Sequence, residues 1–368
     1  MKILITGGAG FIGGHTADAL IAAGHSVRIL DNLSEPVHRN GEPSYLSAGA
    51  ELVVGDVRNK NDWERVLEDV DVVFHLAAYQ DYLTDFSKFF YVNTVGTSLL
   101  YEVAVEKNLP LKKVIVASSQ AVYGEGLYID CDGVAHYPTI RGRTELEAGC
   151  WNLTDEGRVL TPEWSTESGV NPQNQYAVSK YTQELVSLSL GRRYNIPTVC
   201  MRYSIVQGPR QSLYNAYSGA CRIFSLCCFF DKQPIIYEDG LQIRDFVNIE
   251  DVVQANLLVM SSSRADYQVF NVGGGHPYTV LEFAELASEV YGRDFKPTVA
   301  GEFRFGDTRH IMSDINKLKN MGWKPKRDAR YSIECYKAWL EKQQASPEIV
   351  EYAYKKMRES NVVGIVRK

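Results

Sequence analysis

Short apolar runs recur along the first third of the chain, at residues 2–6, 26–30, 52–54, 70–76 and 113–117. Each is too short for a helix and rich in Val, Ile and Leu, the signature of strands buried on both faces. Longer stretches with apolar positions at helical spacing separate them, the first ending at about Ala23 with Gly24 as its stop. Strands alternating with helices predict an α/β fold built on a doubly wound parallel sheet. Another helical stretch runs from Tyr176 to about Tyr194, and a short strand is expected at 234–237 before an Asp239-Gly240 turn. Residues 332–360 read as amphipathic helix interrupted at Pro347. The apolar run 362–366 suits either packing on a partner subunit or covering the core.

Chemistry gathers where the strands end, the edge at which such sheets bind ligands. The first strand runs into Gly7, Gly8, Ala9, Gly10, Phe11, Ile12 and Gly13, then into a helix. Gly8, Gly10 and Gly13 fit G-x-G-x-x-G, while Gly7, Gly10 and Gly13 fit G-x-x-G-x-x-G. Either spacing makes a Rossmann-type dinucleotide turn, with a pyrophosphate at the helix N-terminus. The second strand leads into Asp31, whose carboxylate suits two ribose hydroxyls and repels a 2′-phosphate, favouring NAD over NADP. Asp56, beyond the third strand, is placed to reach the adenine, and Ala77 and Ala78 leave room for a flat ring. Tyr176 and Lys180 stand one helical turn apart, so an ammonium faces a phenol and favours its ionised form. Residues 79–85, after the fourth strand, are expected to face the substrate.

The chain resembles the extended short-chain dehydrogenase/reductases of the nucleotide-sugar epimerase and dehydratase family. The resemblance rests on Thr-Gly-Gly-Ala-Gly-Phe-Ile-Gly at 6–13, Asp31-Asn32, His75-Leu76-Ala77-Ala78, Asn93, Ser-Ser-x-x-Val-Tyr-Gly at 118–124, and Tyr176 with Lys180. Gly208-Pro209-Arg210, Asp239-Gly240, Arg244-Asp245 and Arg304-x-Gly306-Asp307 extend it across nearly the whole chain. It implies Ser119, Tyr176 and Lys180 as catalytic residues, with Tyr176 the base and Ser119 bonded to the sugar hydroxyl. It implies NAD held by Gly7, Gly10, Phe11, Ile12, Gly13, Asp31, Asn32, Asp56, Val57, Leu76, Ala77, Ala78, Asn93, Tyr176 and Lys180, the last at the nicotinamide ribose. For a nucleotide-diphosphate sugar it implies Gln80, Gln120, Gln207, Arg210, Gln211, Tyr237, Arg244 and Arg304, the two last arginines clamping the diphosphate. By family analogy the helices carrying Asn93 and Tyr176 build a homodimer.

Three departures refine the expectation. Dehydratases resembling this family carry Asp then Glu after the serine, whereas Gln120 and Ala121 stand here and cannot exchange protons near neutral pH. By exclusion, C4 epimerisation through a keto-sugar is the expected reaction, and a nucleotide-sugar oxidoreductase or a non-catalytic dinucleotide-binding scaffold are the alternatives. Ile205 stands where the family has a diphosphate-reaching Asn, so the chain either lacks that contact or replaces it with Gln207 or Gln211. An insertion at about 125–171 holds Cys131, His136 and Cys150, where related epimerases carry a zinc ribbon; without a second cysteine pair, no metal is expected. The domain division is therefore 1–206 for NAD, including that insertion, and 207–368 for a smaller α/β substrate lobe, with parts of 241–275 returning to the first sheet.

Composition narrows the class further. Lys plus Arg total 39 against 45 Asp plus Glu, a net −6 that gives no basic surface for nucleic acid or anionic membranes. No run approaches the ~20 apolar residues of a membrane span. The chain enters a strand at once, and its seven cysteines are odd in number. A cytoplasmic enzyme with reduced thiols is expected.

Overall fold

The computed structural model describes residues 1–81, 83–215, 219–359 and 362–367. Seven strands form one sheet: β1 (Lys2–Thr6), β2 (Ser26–Asp31), β3 (Ala50–Val54), β4 (Val72–His75), β5 (Lys113–Ser119), β6 (Thr198–Tyr203) and β7 (Gln268–Val272). Their order is β3-β2-β1-β4-β5-β6-β7, and every neighbouring pair is parallel. The order reverses between β1 and β4, which opens a crevice at the carboxyl edge.

Alternate residues of each strand serve opposite faces of the sheet. Ile3, Ile5, Phe74, Ile115 and Met201 pack beneath α1 (Phe11–Ala22), while Leu4, Val73, Val114, Val116 and Cys200 pack beneath α2 (Gly96–Glu106) and α3 (Gln175–Arg193). That double burial explains why the strands read as continuous apolar runs. The observed strands lie within a few residues of the predicted ones, and β5 runs on through Ser119, pairing it with Tyr203.

The C-terminal part gathers α4 (Gly219–Phe229), α5 (Ile249–Ser261), α6 (Val280–Val290), α7 (Ala329–Leu340) and α8 (Glu348–Glu359). Phe224, Phe246, Phe283, Ile333 and Leu340 form a separate core between them, whereas α5 packs on the seven-stranded sheet through Val252, Ala255 and Val259. The break around Pro347 is real; Ser360, the last residue of that predicted stretch, lies outside the described residues. The expected strand at 234–237 reduces to Ile235–Ile236, paired with Thr298–Val299. The apolar tail forms a strand, Val363–Ile365, paired antiparallel with Glu302–Arg304, and Ile365 is left 66% exposed.

The insertion folds as a three-stranded sheet of Leu127–Ile129, Ala135–His136 and Thr161–Glu163, plus a hairpin and one helical turn. It is anchored to the C-terminal part through Ser165, whose N–H donates to Met312 O at 2.8 Å and whose carbonyl accepts from Asp314 N at 3.0 Å.

Candidate active site

At the crevice, the glycine turn is packed so closely that side chains would not fit. A Cβ on Gly13 would lie 2.3 Å from Gly7 O, and Gly7 itself sits at φ +68° with its missing Cβ 2.8 Å from Ala77 Cα. The following helix, α1, starts with no acidic residue in its first turn and no side-chain cap, so its N–H groups are left for an anion. Asp31 lies against this turn, accepting from Ala9 N at 3.1 Å and Leu33 N at 2.9 Å, with His38 Nε2 3.8 Å from the same carboxylate. These features fit a dinucleotide: a bare helix end for its pyrophosphate and a carboxylate beside it for a ribose.

Farther out, Asn32 donates to Asp56 at 3.0 Å, and Arg58 grips the Asp56 carboxylate with two nitrogens. The Arg58 hydrogen bonds hold Asp56 down to about 2. Val57 is buried against Gly96, its carbonyl accepting from Trp63 Nε1 at 2.8 Å.

One cavity of about 470 Å³ joins this crevice to the C-terminal part. Phe11, Ile12, Leu76 and Ala78 line its cofactor side, Ser119, Gln120, Tyr176 and Lys180 its middle, and Tyr237, Arg244 and Arg304 the far side. Asn174 caps α3 by accepting from Ala177 N, which puts Tyr176 in the first turn and Lys180 one turn deeper. Tyr176 is 8% exposed and Lys180 1%. Burial lowers Lys180 to about 7, with Glu184 opposing the shift. Ser119 Oγ accepts from Ala121 N at 3.1 Å and keeps its hydrogen to donate, whereas the neighbouring Ser118 donates to Glu184. Glu184 in turn holds Arg202 bidentately at 2.8 and 2.7 Å. Gln120 Oε1 is buried without a hydrogen-bond partner among the described residues.

Several of the residues singled out by the motifs lie outside the lining of this cavity. Asn93 does not line the cavity: its amide accepts from Tyr79 N at 2.8 Å and donates to Tyr79 O at 3.1 Å and Ser179 Oγ at 2.9 Å. It therefore ties the loop after β4 to α3. Arg210 also stays out of the cavity, because Asp18 holds it at 2.7 Å and Tyr45 stacks on its guanidinium. Gln207 is fully buried away from the cavity, in a strand paired with Phe246–Asn248, so of the two glutamines only Gln211 lines it. In the run 79–85, Tyr79 turns its hydroxyl to Asp85, Gln80 lines the cavity, and Tyr82 lies outside the described residues.

The two arginines of the far side are partly engaged by the protein. Arg304 pairs with Asp307 at 2.5 Å and lies over the Tyr237 ring, 5.1 Å from its centroid. Arg244 donates to Ile243 O, Thr308 O and Arg309 O, so it also fixes the loop that carries Asp307. A third, Arg222 on α4, lines the cavity and was not signalled by any motif. Spacing likewise concealed a buried ionic cluster of Glu125, Arg141, Glu238 and Arg309, drawn from segments far apart in the chain. In the insertion, Asp130, His136 and Asp155 bring ligand-type atoms within 4.8 Å of one another, and neither cysteine there belongs to the group.

A dinucleotide crevice joined to a cavity holding Ser, Tyr and Lys defines a short-chain oxidoreductase-type enzyme. The chain belongs to the NAD dependent epimerase/dehydratase family, whose model matches residues 3–144 and 153–273. It is 35% identical to the dTDP-L-rhamnose 4-epimerase of Burkholderia thailandensis, over 92% of this chain and 94% of that one. A putative UDP-glucose 4-epimerase of Methanocaldococcus jannaschii is 31% identical over 92% of this chain and 98% of its own. The UDP-glucose 4-epimerase of Thermotoga maritima, solved with UDP-glucose, superposes with a TM-score of 0.77 at 29% identity, covering 93% of this chain and 99% of that one.

Proposed function

We propose that the protein is an NAD-dependent epimerase of a nucleotide-diphosphate hexose, inverting C4 through a transient 4-keto sugar. The observation that carries this reading is the composition of the cavity around Ser119. Tyr176 and Lys180 face it together, and the next residues, Gln120 and Ala121, supply no acid to expel a hydroxyl. The acidic residues in the lining, Glu125 and Asp307, are taken up by Arg141 with Arg309 N and by Arg304 respectively. Relatives at 31–35% identity are named 4-epimerases, which supports the same carbon.

Bound NAD supplies a reversible acceptor for the hydrogen at C4. Ser119 donates to the C4 oxygen, and Tyr176 takes its hydroxyl proton as the carbonyl forms. Lys180 favours the phenolate by its charge one turn away. The same Tyr176 returns the proton once the sugar has presented its other face, and because the hydrogen taken from C4 would go back to that carbon, no net redox change occurs. Arg244, Arg304 and Gln211 serve the diphosphate and Tyr237 the base, in a site closed by the protein rather than by a basic surface.

The assembly we propose is a cytoplasmic homodimer. Tyr91 and Val95 before α2, and Val178 and Leu185 on α3, are 57, 40, 37 and 52% exposed, an apolar face that a second copy would cover. No helix among the described residues is long and apolar enough to cross a membrane.

The test is incubation with dTDP- and UDP-hexoses, following isomers by NMR in deuterated water. Interconversion of C4 isomers without solvent deuterium at C4 is expected. NADH accumulating in step with turnover would instead establish the oxidoreductase reading.

A further inference from the structure

Behind the cavity, Lys180 ends a buried chain of polar side chains. Its Nζ donates to Gln183 Oε1 at 2.6 Å, and Gln183 Nε2 donates to Thr97 Oγ1 at 2.8 Å. Thr97 Oγ1 is 2.8 Å from His75 Nε2, and His75 Nδ1 is 2.8 Å from Thr6 Oγ1. Thr6 Oγ1 accepts from Ala77 N at 3.1 Å, in the loop against the glycine turn. Lys180 is 1% exposed and the other four side chains 0%, so water does not compete for these bonds.

The direction of every bond follows from one hydroxyl. A threonine has a single hydroxyl hydrogen, and Thr97 commits its own to Asn93 O at 2.7 Å. Its oxygen must then accept from both remaining neighbours. His75 therefore carries its proton on Nε2, and its Nδ1 accepts from Thr6, whose oxygen is left for Ala77 N. Gln183 must turn its NH₂ to Thr97, which leaves its carbonyl oxygen toward Lys180. A flipped amide would set two acceptors together at Thr97 and two donors together at Lys180.

We propose that Gln183 is a positioning residue whose amide, oriented through Thr97 by the ends of β1 and β4, holds Lys180 as an ammonium beside Tyr176. The proposal rests on the reading of Tyr176 as the base and Lys180 as its cation. An amide oxygen stabilises an ammonium that burial disfavours. The other ionisable groups around Lys180 are Tyr176 and Glu184 on α3, Cys200 on β6 and His75 at the end of β4. Glu184 is held by Arg202, and burial keeps His75 neutral, lowered to about 3, so it adds no second cation.

The experiment titrates the Tyr176 phenolate by ultraviolet difference absorbance in NAD-loaded protein, with Tyr176→Phe in each background as the blank. Gln183→Met is expected to raise the phenolate pKa by about one unit, and to lower turnover below it about tenfold. KM for the nucleotide sugar and NAD retention should stay as in the parent. Thr97→Val, which releases the amide to turn, carries the same upward expectation should Gln183→Met not fold. An unmoved titration in the variant that folds overturns the proposal, as does a loss of turnover equal at every pH. Because the titration needs no substrate, inactivity on every nucleotide sugar would sink the epimerase reading while leaving Gln183's role separately decided.

Discussion

Arg141 lies flat against Glu238, with Nη1 2.9 Å from Oε2 and Nη2 2.9 Å from Oε1, and both side chains are almost wholly out of water. This bidentate fork joins the insertion to the far side of the cavity. The same guanidinium donates to Trp151 O within the insertion and to Asp307 O in the loop beside Arg304. Arg309 shares Glu238 at 3.1 Å and takes Asp239 with both terminal nitrogens, while its own N–H donates to Glu125. The insertion thus reaches the far side of the cavity through buried charges.

Removing one partner of a buried ion pair strands the other, at a cost of about 3–5 kcal/mol. Arg141→Met should lower stability by that order in urea unfolding. Arg141→Lys should recover little, since a lysine keeps the charge but not the fork. A loss below about 1 kcal/mol, the range of exposed pairs, would show that the cluster is solvated.

Tyr176→Phe should keep its NAD and lose turnover by about two to four orders of magnitude, the span assigned to a positioned base. Bound cofactor after gel filtration and NMR-detected isomer formation measure the two halves. Parent-like turnover would exclude Tyr176 as the base.

Asp31→Asn keeps an oxygen but removes the charge beside the glycine turn. NAD affinity is expected to fall about tenfold, one charge-assisted hydrogen bond, and the discrimination against NADP to shrink. Fluorescence titrations with both dinucleotides check this, and unchanged preference would place selectivity elsewhere.

His75 gives stability a pH dependence with a definite sign. Burial lowers its folded pKa to about 3, while the unfolded side chain titrates near 6.5. Between those values the unfolded chain binds the extra proton, so stability falls as the pH drops through this window, by at most about 1.4 kcal/mol per unit. His310 is lowered in the same direction, chiefly by burial, and adds to the slope. His75→Gln, whose amide can serve both Thr97 and Thr6, should make urea midpoints measured across the window less steep. An identical slope would mean that His75 is solvated.

Much of this arrangement was legible before any coordinates. The strands of the sheet announce themselves because both faces are buried, and the glycine turn because its backbone packing excludes Cβ atoms at Gly7 and Gly13. Tyr176 and Lys180 sit within one helix, where a separation of four residues already implies a shared face. For Arg210 the motif position says nothing about Asp18 and Tyr45, which engage it from another helix and loop. Nor does the motif at Asn93 reveal that its amide bonds Tyr79 and Ser179.

The order of residues along the chain determined the doubly wound sheet, the dinucleotide turn and the Tyr-Lys pair, since each depends on periodicities of two or about four residues and on backbone sterics. Only the tertiary structure decided which way Gln183 faces, where the insertion is anchored, and that Arg141 meets Glu238 across 97 positions. Those relationships depend on charges and single hydrogens brought together by packing, and a buried carboxylate finds its arginine in space, at a distance along the chain that no local pattern records.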